Sequence, residues 1–168
     1  MLNAYRNAGG KIQWIPQTAK RSKYADIMEH IRQIAPYEPI ALYHHGGTTD
    51  RLYGAGQLDS LHDALALIRD LGFAAGLGTH DPQILKYCYH EGYDVDFYVC
   101  ALYNHSRHRE MYLPPEREAV IVATQAAHLP VIAIKVLAAG RSEPISAFRF
   151  VLEHIKPIDA LAVGMYTN

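Results

Sequence analysis

A chain of 168 residues, 49% hydrophobic and 20% charged, carries enough apolar material for one ordinary domain with a real core. Its formal net charge of −1 gives no electrostatic footprint for nucleic acid or for an anionic membrane surface. No apolar run reaches the length of a membrane span and no signal-peptide layout opens the chain. The two cysteines, Cys88 and Cys100, fall in apolar segments rather than in a disulfide framework, so the expectation is a single cytoplasmic domain over residues 1–168.

In chain order, Leu2 to Ala8 reads as a last helical turn stopped by Gly9-Gly10. Ile12 to Thr18 is a first candidate strand. Tyr24, Ile27, Met28, Ile31 and Ile34 then recur at helical spacing until Pro36 and Pro39. A second strand, Ile40 to His45, closes on Gly46-Gly47. A loop of turn formers is expected next, then a helix with Leu58, Leu61, Leu65 and Ile68 on one stripe, ended by Gly72. Phe73 to Thr79 is a third strand, thinned by Gly76 and Gly78. Asp81 and Pro82 suit the cap and first position of the following helix, which Gly92 ends. Val95 to Tyr103 is a fourth strand. Pro114 and Pro115 open a helix to Ala127. Pro144 opens another, with Phe148, Val151, Leu152 and Ile155 facing inward, and Ala160 to Gly164 is the last strand.

Between those helices lies Pro130 to Arg141, a dense apolar run interrupted by Lys135. Strict alternation would put Ile132, Ile134 and Val136 on one face, suited to packing under helices. Ala133, Lys135 and Leu137 would share the other, suited to a crowded interior. A lysine there needs a charge partner, a ligand or a shifted pKa, and it could serve as a nucleophilic amine. Strand and helix alternating at about thirty-residue intervals argue a parallel sheet with right-handed crossovers. The spacing is compatible with either an open doubly wound sheet or a (β/α) barrel.

The motifs Ala41-Leu42-Tyr43-His44-His45-Gly46 and Gly76-Leu77-Gly78-Thr79-His80-Asp81-Pro82 occur in that order. Asp94-Val95-Asp96-Phe97-Tyr98, Leu137-Ala138-Ala139-Gly140-Arg141 and Val163-Gly164-Met165-Tyr166 follow. Together they resemble the aldo/keto reductase family of barrels, most of all its uncharacterised relatives, over residues 11–168. The resemblance implies an α/β fold, a partial TIM-type (β/α) barrel of about six parallel strands, without the first two units and the closing helix. It implies no match for the family's tyrosine and aspartate, which precede the matched region. Lys20 stands in the place of the family's lysine, and His45, favoured over His44 because it is nearer the strand end, in that of its histidine. The nucleotide site, for NADP or NAD, falls on Ala138, Gly140, Arg141, Gly164 and Met165.

In such barrels the C-terminal strand ends carry the chemistry, and that face collects Gln17, Lys20, His45, His80, Asn104, His105, Arg141 and Tyr166. His45, Lys20, His80 and Lys135 are therefore the catalytic candidates. Each has a plain structural alternative: a strand-end cap for the histidines, charge pairing for Lys135, a tight turn for Gly140-Arg141. Asp81 reads as an N-cap. Three readings stay open: a reductase-like oxidoreductase acting on a small molecule; a zinc-assisted hydrolase or isomerase using His45, His80 and His105; and a non-catalytic domain. An incomplete barrel would leave apolar interior and strand edges uncovered, so a homo-oligomer or a complementing chain is expected.

Overall fold

The computed structural model describes residues 2–19, 26–102 and 114–164. Among these residues five strands, β1 (Ala41–His44), β2 (Ala74–Thr79), β3 (Phe97–Ala101), β4 (Val131–Ile134) and β5 (Ala160–Leu161), form one parallel sheet in that spatial order. Among the described residues seven α-helices accompany them: α1 (Leu2–Asn7), α2 (Ile27–Ile34), α3 (Gly46–Gly54), α4 (Leu61–Asp70), α5 (Pro82–His90), α6 (Pro114–Ala126) and α7 (Pro144–His154). No described helix is long and apolar enough to cross a membrane. Cys88 and Cys100 are buried free thiols, each pushed up to about 12 by burial.

The strands divide their residues between two clusters with period two, as a pleated sheet requires. Leu42, Ala75, Leu77, Tyr98, Cys100, Val131 and Ala133 join residues of α2 to α7 in the main core. Ala41, Tyr43, Ala74, Phe97, Val99, Ile132 and Ile134 form a second cluster, which among the described residues consists of strand residues alone. Helix α2 and the five crossover helices α3 to α7 thus contribute to one side of the described sheet, and its strand order never reverses. A doubly wound sheet would show a reversal and helices on both faces, so the sheet is singly wound.

Two aspartates hold the strand starts by the same device. Asp96, just before β3, accepts the Ala75 N–H of β2 at 2.7 Å through Oδ2. Asp159, just before β5, accepts the Val131 N–H of β4 at 2.8 Å through Oδ1, and its other oxygen takes the Lys156 N–H at 2.8 Å. Each carboxylate satisfies a buried backbone donor that the shorter neighbouring strand does not reach.

Several sequence expectations change. The first candidate strand is reduced to a single bridge, Gln17 to Tyr43. Residues 14–18 still run beside β1: Ile40 N–H reaches the Trp14 carbonyl at 3.0 Å, Tyr43 N–H the Pro16 carbonyl at 3.1 Å, and Thr18 N–H the Tyr43 carbonyl at 2.9 Å. Pro16 brings no N–H of its own to such a ladder. The expected loop after Gly46-Gly47 is helix α3, because His45 caps it. Leu152 is 60% exposed rather than inward, whereas Val151 is fully buried.

The lysine strand is also reversed from expectation. Its alternation holds, but Ala133 lies under the helices, and Ile132 and Ile134 lie on the strand-only face. The strand ends at Ile134. Lys135 then turns out of it at φ 61, is exposed, and lets Val136 re-enter the helix-side core. A left-handed conformation at a non-glycine residue ends the ladder there. Lys135 is therefore not a buried interior charge.

Candidate active site

The β1–α3 turn and the end of β2 approach so closely that neither tolerates a side chain between them. A Cβ on Gly78 would stand 2.9 Å from the His44 carbonyl oxygen and 3.0 Å from the Gly46 nitrogen. A Cβ on Gly46 would stand 3.2 Å from His80 Cε1. Gly78 in β2 and Gly46 in the turn are thus what let the nearby His45 and His80 share one cavity at the C-terminal edge of the sheet.

The two adjacent histidines of β1 have opposite fates. His44 points to the helix side, is 2% exposed, and has its Nδ1 2.9 Å from Thr49 Oγ1. Burial, helped by the charges of His45 and Arg51, lowers it to about 4, so it is neutral and structural. His45 is the N-cap of α3: its Nδ1 accepts the Thr48 N–H at 3.2 Å, and its own N–H donates to Thr18 Oγ1 at 2.9 Å. A backbone N–H can only donate. Neutral His45 consequently carries its proton on Nε2.

His80 is fixed the opposite way. Its Nδ1 lies 2.8 Å from Asp50 Oδ2 of α3, and Asp50 Oδ1 also accepts Thr79 Oγ1 at 2.6 Å and the His80 N–H at 3.2 Å. Asp50's side chain is 15% exposed. Burial alone would raise its pKa. The hydrogen bonds from His80 and Thr79 outweigh that and hold the carboxyl below its ordinary value of 3.8. Asp50 is ionised and accepts only, so Nδ1 of His80 bears a proton.

His45, Gly46, Gly78, Thr79 and His80 line one cavity of about 260 Å³ at the C-terminal strand ends, with Gln17, Tyr43, Val99, Ile134 and Lys135 completing its wall. Tyr43 donates its hydroxyl to Gln17 Oε1 at 2.9 Å and packs edge-on against Phe97 at 6.4 Å; burial raises its pKa. A second cavity of about 630 Å³ lies beside it between the ends of β4 and β5, lined by Lys135, Val136, Leu137, Ala139, Gly140, Ala162, Val163 and Gly164. Lys135 is common to both.

Of the residues singled out from sequence, His45, His80 and Lys135 meet at the first cavity, and Gly140 and Gly164 line the second. Ala138 is buried in the turn between them and Arg141 is exposed on it. Lys20, Asn104, His105, Met165 and Tyr166 lie outside the described residues. Among the described residues no three His, Cys, Asp or Glu side chains gather as a metal-ligating group. Asp50 was not legible as a site residue, because its segment reads as a loop and its partner stands thirty residues away. Tyr43 was masked by its apolar strand.

The chain matches no family model and no curated protein.

Proposed function

We propose that the protein is an aldo/keto reductase-like oxidoreductase built on a partial TIM-type (β/α) barrel, acting on a small carbonyl compound with NADP or NAD. The observation that carries this reading is the adjacency of two cavities that share Lys135 in their walls. A small polar chamber with imidazole and amine groups opens beside a larger cleft at the ends of the last two strands. A volume of about 630 Å³ falls in the usual range for small-molecule sites. The sequential strand order with helices on one side suits a barrel sector, and in barrels active sites lie at the C-terminal strand ends.

The β4–α7 turn fits a phosphate in part. Ala138, Ala139 and Gly140 follow one another at positive φ. The N–H groups of Ala138 and Gly140 already bond the Lys135 and Leu137 carbonyls at 2.9 and 2.8 Å. The anion would therefore rest mainly on the Arg141 guanidinium, which is exposed on the same turn. When bound, the nicotinamide supplies hydride. The chain's own part is to orient the carbonyl: His45 Nε2–H is a donor for its oxygen, and Lys135 adds positive potential at the same wall. Val99, Ile134 and the Tyr43 ring restrict water on the strand-only side.

Thermal-shift titration with reduced and oxidised dinucleotides tests this, since a ligand that binds the folded state raises the melting midpoint by mass action. An Arg141→Ala variant should weaken the shift. No shift at millimolar dinucleotide removes the cofactor, and the oxidoreductase reading with it. The same proposal includes a second copy or a complementing chain over the strand-only face, where Tyr43, Ile132 and Ile134 are half-buried. Light scattering showing a monomer that binds no apolar dye would remove that part.

A further inference from the structure

The two cavity histidines are held in complementary protonation forms by what each Nδ1 touches. His45 Nδ1 accepts a backbone N–H, which makes Nε2 a donor. His80 Nδ1 donates to the Asp50 carboxylate, which makes Nε2 of the neutral ring an acceptor and a base. Both residues line the same chamber of about 260 Å³. A proton acceptor and a proton donor on one small cavity are what abstraction of a proton next to a carbonyl requires.

We propose that the Asp50–His80 pair and His45 give this cavity a proton-transfer activity that needs no dinucleotide: reversible enolisation of a small α-hydroxy carbonyl compound. The inference rests on the preceding reading only for the carbonyl as ligand class. His80 Nε2 takes the proton from the carbon next to the carbonyl. The electron pair of the broken C–H bond forms the C=C bond of the enediolate, and the C=O π pair moves onto the oxygen. His45 Nε2–H and Lys135, on the same cavity wall, meet that oxygen's negative charge. The proton on His80, or one exchanged with solvent there, returns to the carbon it left as the oxyanion's electron pair re-forms the C=O bond, so protons and electrons balance without an oxidant or a reductant. His80 is the catalytic base. Asp50 is a positioning residue: it keeps the proton on Nδ1, offsets the charge that His80 gains, and is itself locked by Thr79 Oγ1 and the His80 N–H.

Other assignments are weaker. The cavity of about 350 Å³ lined by residues of α2, α3 and α4 includes His44 and Arg51, but His44 is already satisfied by Thr49.

The test is hydrogen–deuterium exchange at the α-carbon of hydroxyacetone and of glyceraldehyde in D₂O, followed by proton NMR on the full chain without dinucleotide. Exchange should exceed the buffer rate and saturate with substrate. His80→Gln should lower it about 100-fold or more. In Asp50→Asn the side-chain amide can donate to Nδ1, which moves the ring proton to Nε2 and should cost a comparable factor. Nitrogen-15 NMR of the imidazoles supplies a readout that a merely structural Asp50 would not move: the Nδ1–H form of His80 in the wild type, the Nε2–H form in the variant. Wild-type exchange at the buffer rate, exchange unchanged in His80→Gln, or an Nε2–H form of wild-type His80 each overturns the proposal. Dinucleotide binding without exchange overturns the enolisation and leaves the reductase reading. Exchange without dinucleotide binding does the reverse.

Discussion

Replacing Gly78 with alanine places one methyl group where β2 meets the β1–α3 turn. The new Cβ would lie 2.9 Å from the His44 carbonyl oxygen, 3.0 Å from the Gly46 nitrogen and 3.3 Å from its Cα, whereas ordinary contact begins at 3.4 Å. All three obstacles are backbone, so no side-chain rotation relieves them. The turn must retreat by several tenths of an ångström, against the His45 cap on the Thr48 N–H and the parallel ladder from His44 to Leu77. Overpacking of this kind costs about 1–3 kcal/mol. For a chain of this size that corresponds to a fall in melting temperature of about 2–12 °C. Thermal and urea melts of Gly78→Ala measure it. A control comes from Gly54, the last residue of α3, where an added Cβ meets nothing within 4 Å. Gly54→Ala should stabilise by about 0.5–1 kcal/mol through helix propensity. If Gly78→Ala melts at or above the wild-type temperature, the close approach that seats the two histidines is wrong.

Removing Asp159 should be costly, about 3–5 kcal/mol by urea denaturation, because its fully buried carboxylate serves Val131 N–H, Lys156 N–H and the Lys156 ammonium. Asp94→Ala, at a side chain 74% exposed beside Arg69, should change stability by no more than about 0.5 kcal/mol; equal losses in the two variants would contradict this reading of burial. For His44 the folded pKa of about 4 lies below the ordinary 6.5, so the unfolded chain takes the proton first and stability falls as pH drops through that window. The loss is on the order of 3 kcal/mol. Urea midpoints against pH should slope there in the wild type and less in His44→Gln. Asp50 adds its own loss below 3.8, as pH falls through its depressed folded value. Ala139 is held at φ 57 and ψ 40 on an exposed turn, so Ala139→Gly should raise stability by about 0.5–1 kcal/mol, measured as a higher urea midpoint.

The alternation of strand and helix was readable because hydrophobic period is local: Ile31 and Ile34, or Leu61, Leu65 and Ile68, announce a helix face whatever they pack against. Helix α3 was hidden for the opposite reason. Gly46-Gly47 has the composition of a turn, and what starts the helix is an imidazole acting as cap, a role usually filled by Ser, Thr, Asp or Asn. With α3 unread, Asp50 could not be placed against His80. The site depends on a contact across thirty residues that no local pattern encodes. The faces of β4 were misread because side-chain bulk was used to choose between them. The small residue Ala133 is the one under α-helices, where backbones come close, and the sequence does not mark the left-handed turn at Lys135 that ends the strand.

The unreversed strand order has a kinetic consequence. β2 finds both of its partners in the strands immediately before and after it in the chain, and so do β3 and β4. During synthesis, therefore, none of these strands must wait for a distant segment: once β3 has emerged, β2 has every neighbour it will have in the described sheet. Each added strand–helix unit extends an existing template at short loop-closure cost. A ribosome-bound chain stopped after β3 should already protect the β1–β2 amides from hydrogen exchange, whereas a doubly wound sheet would leave a central edge waiting for its later half.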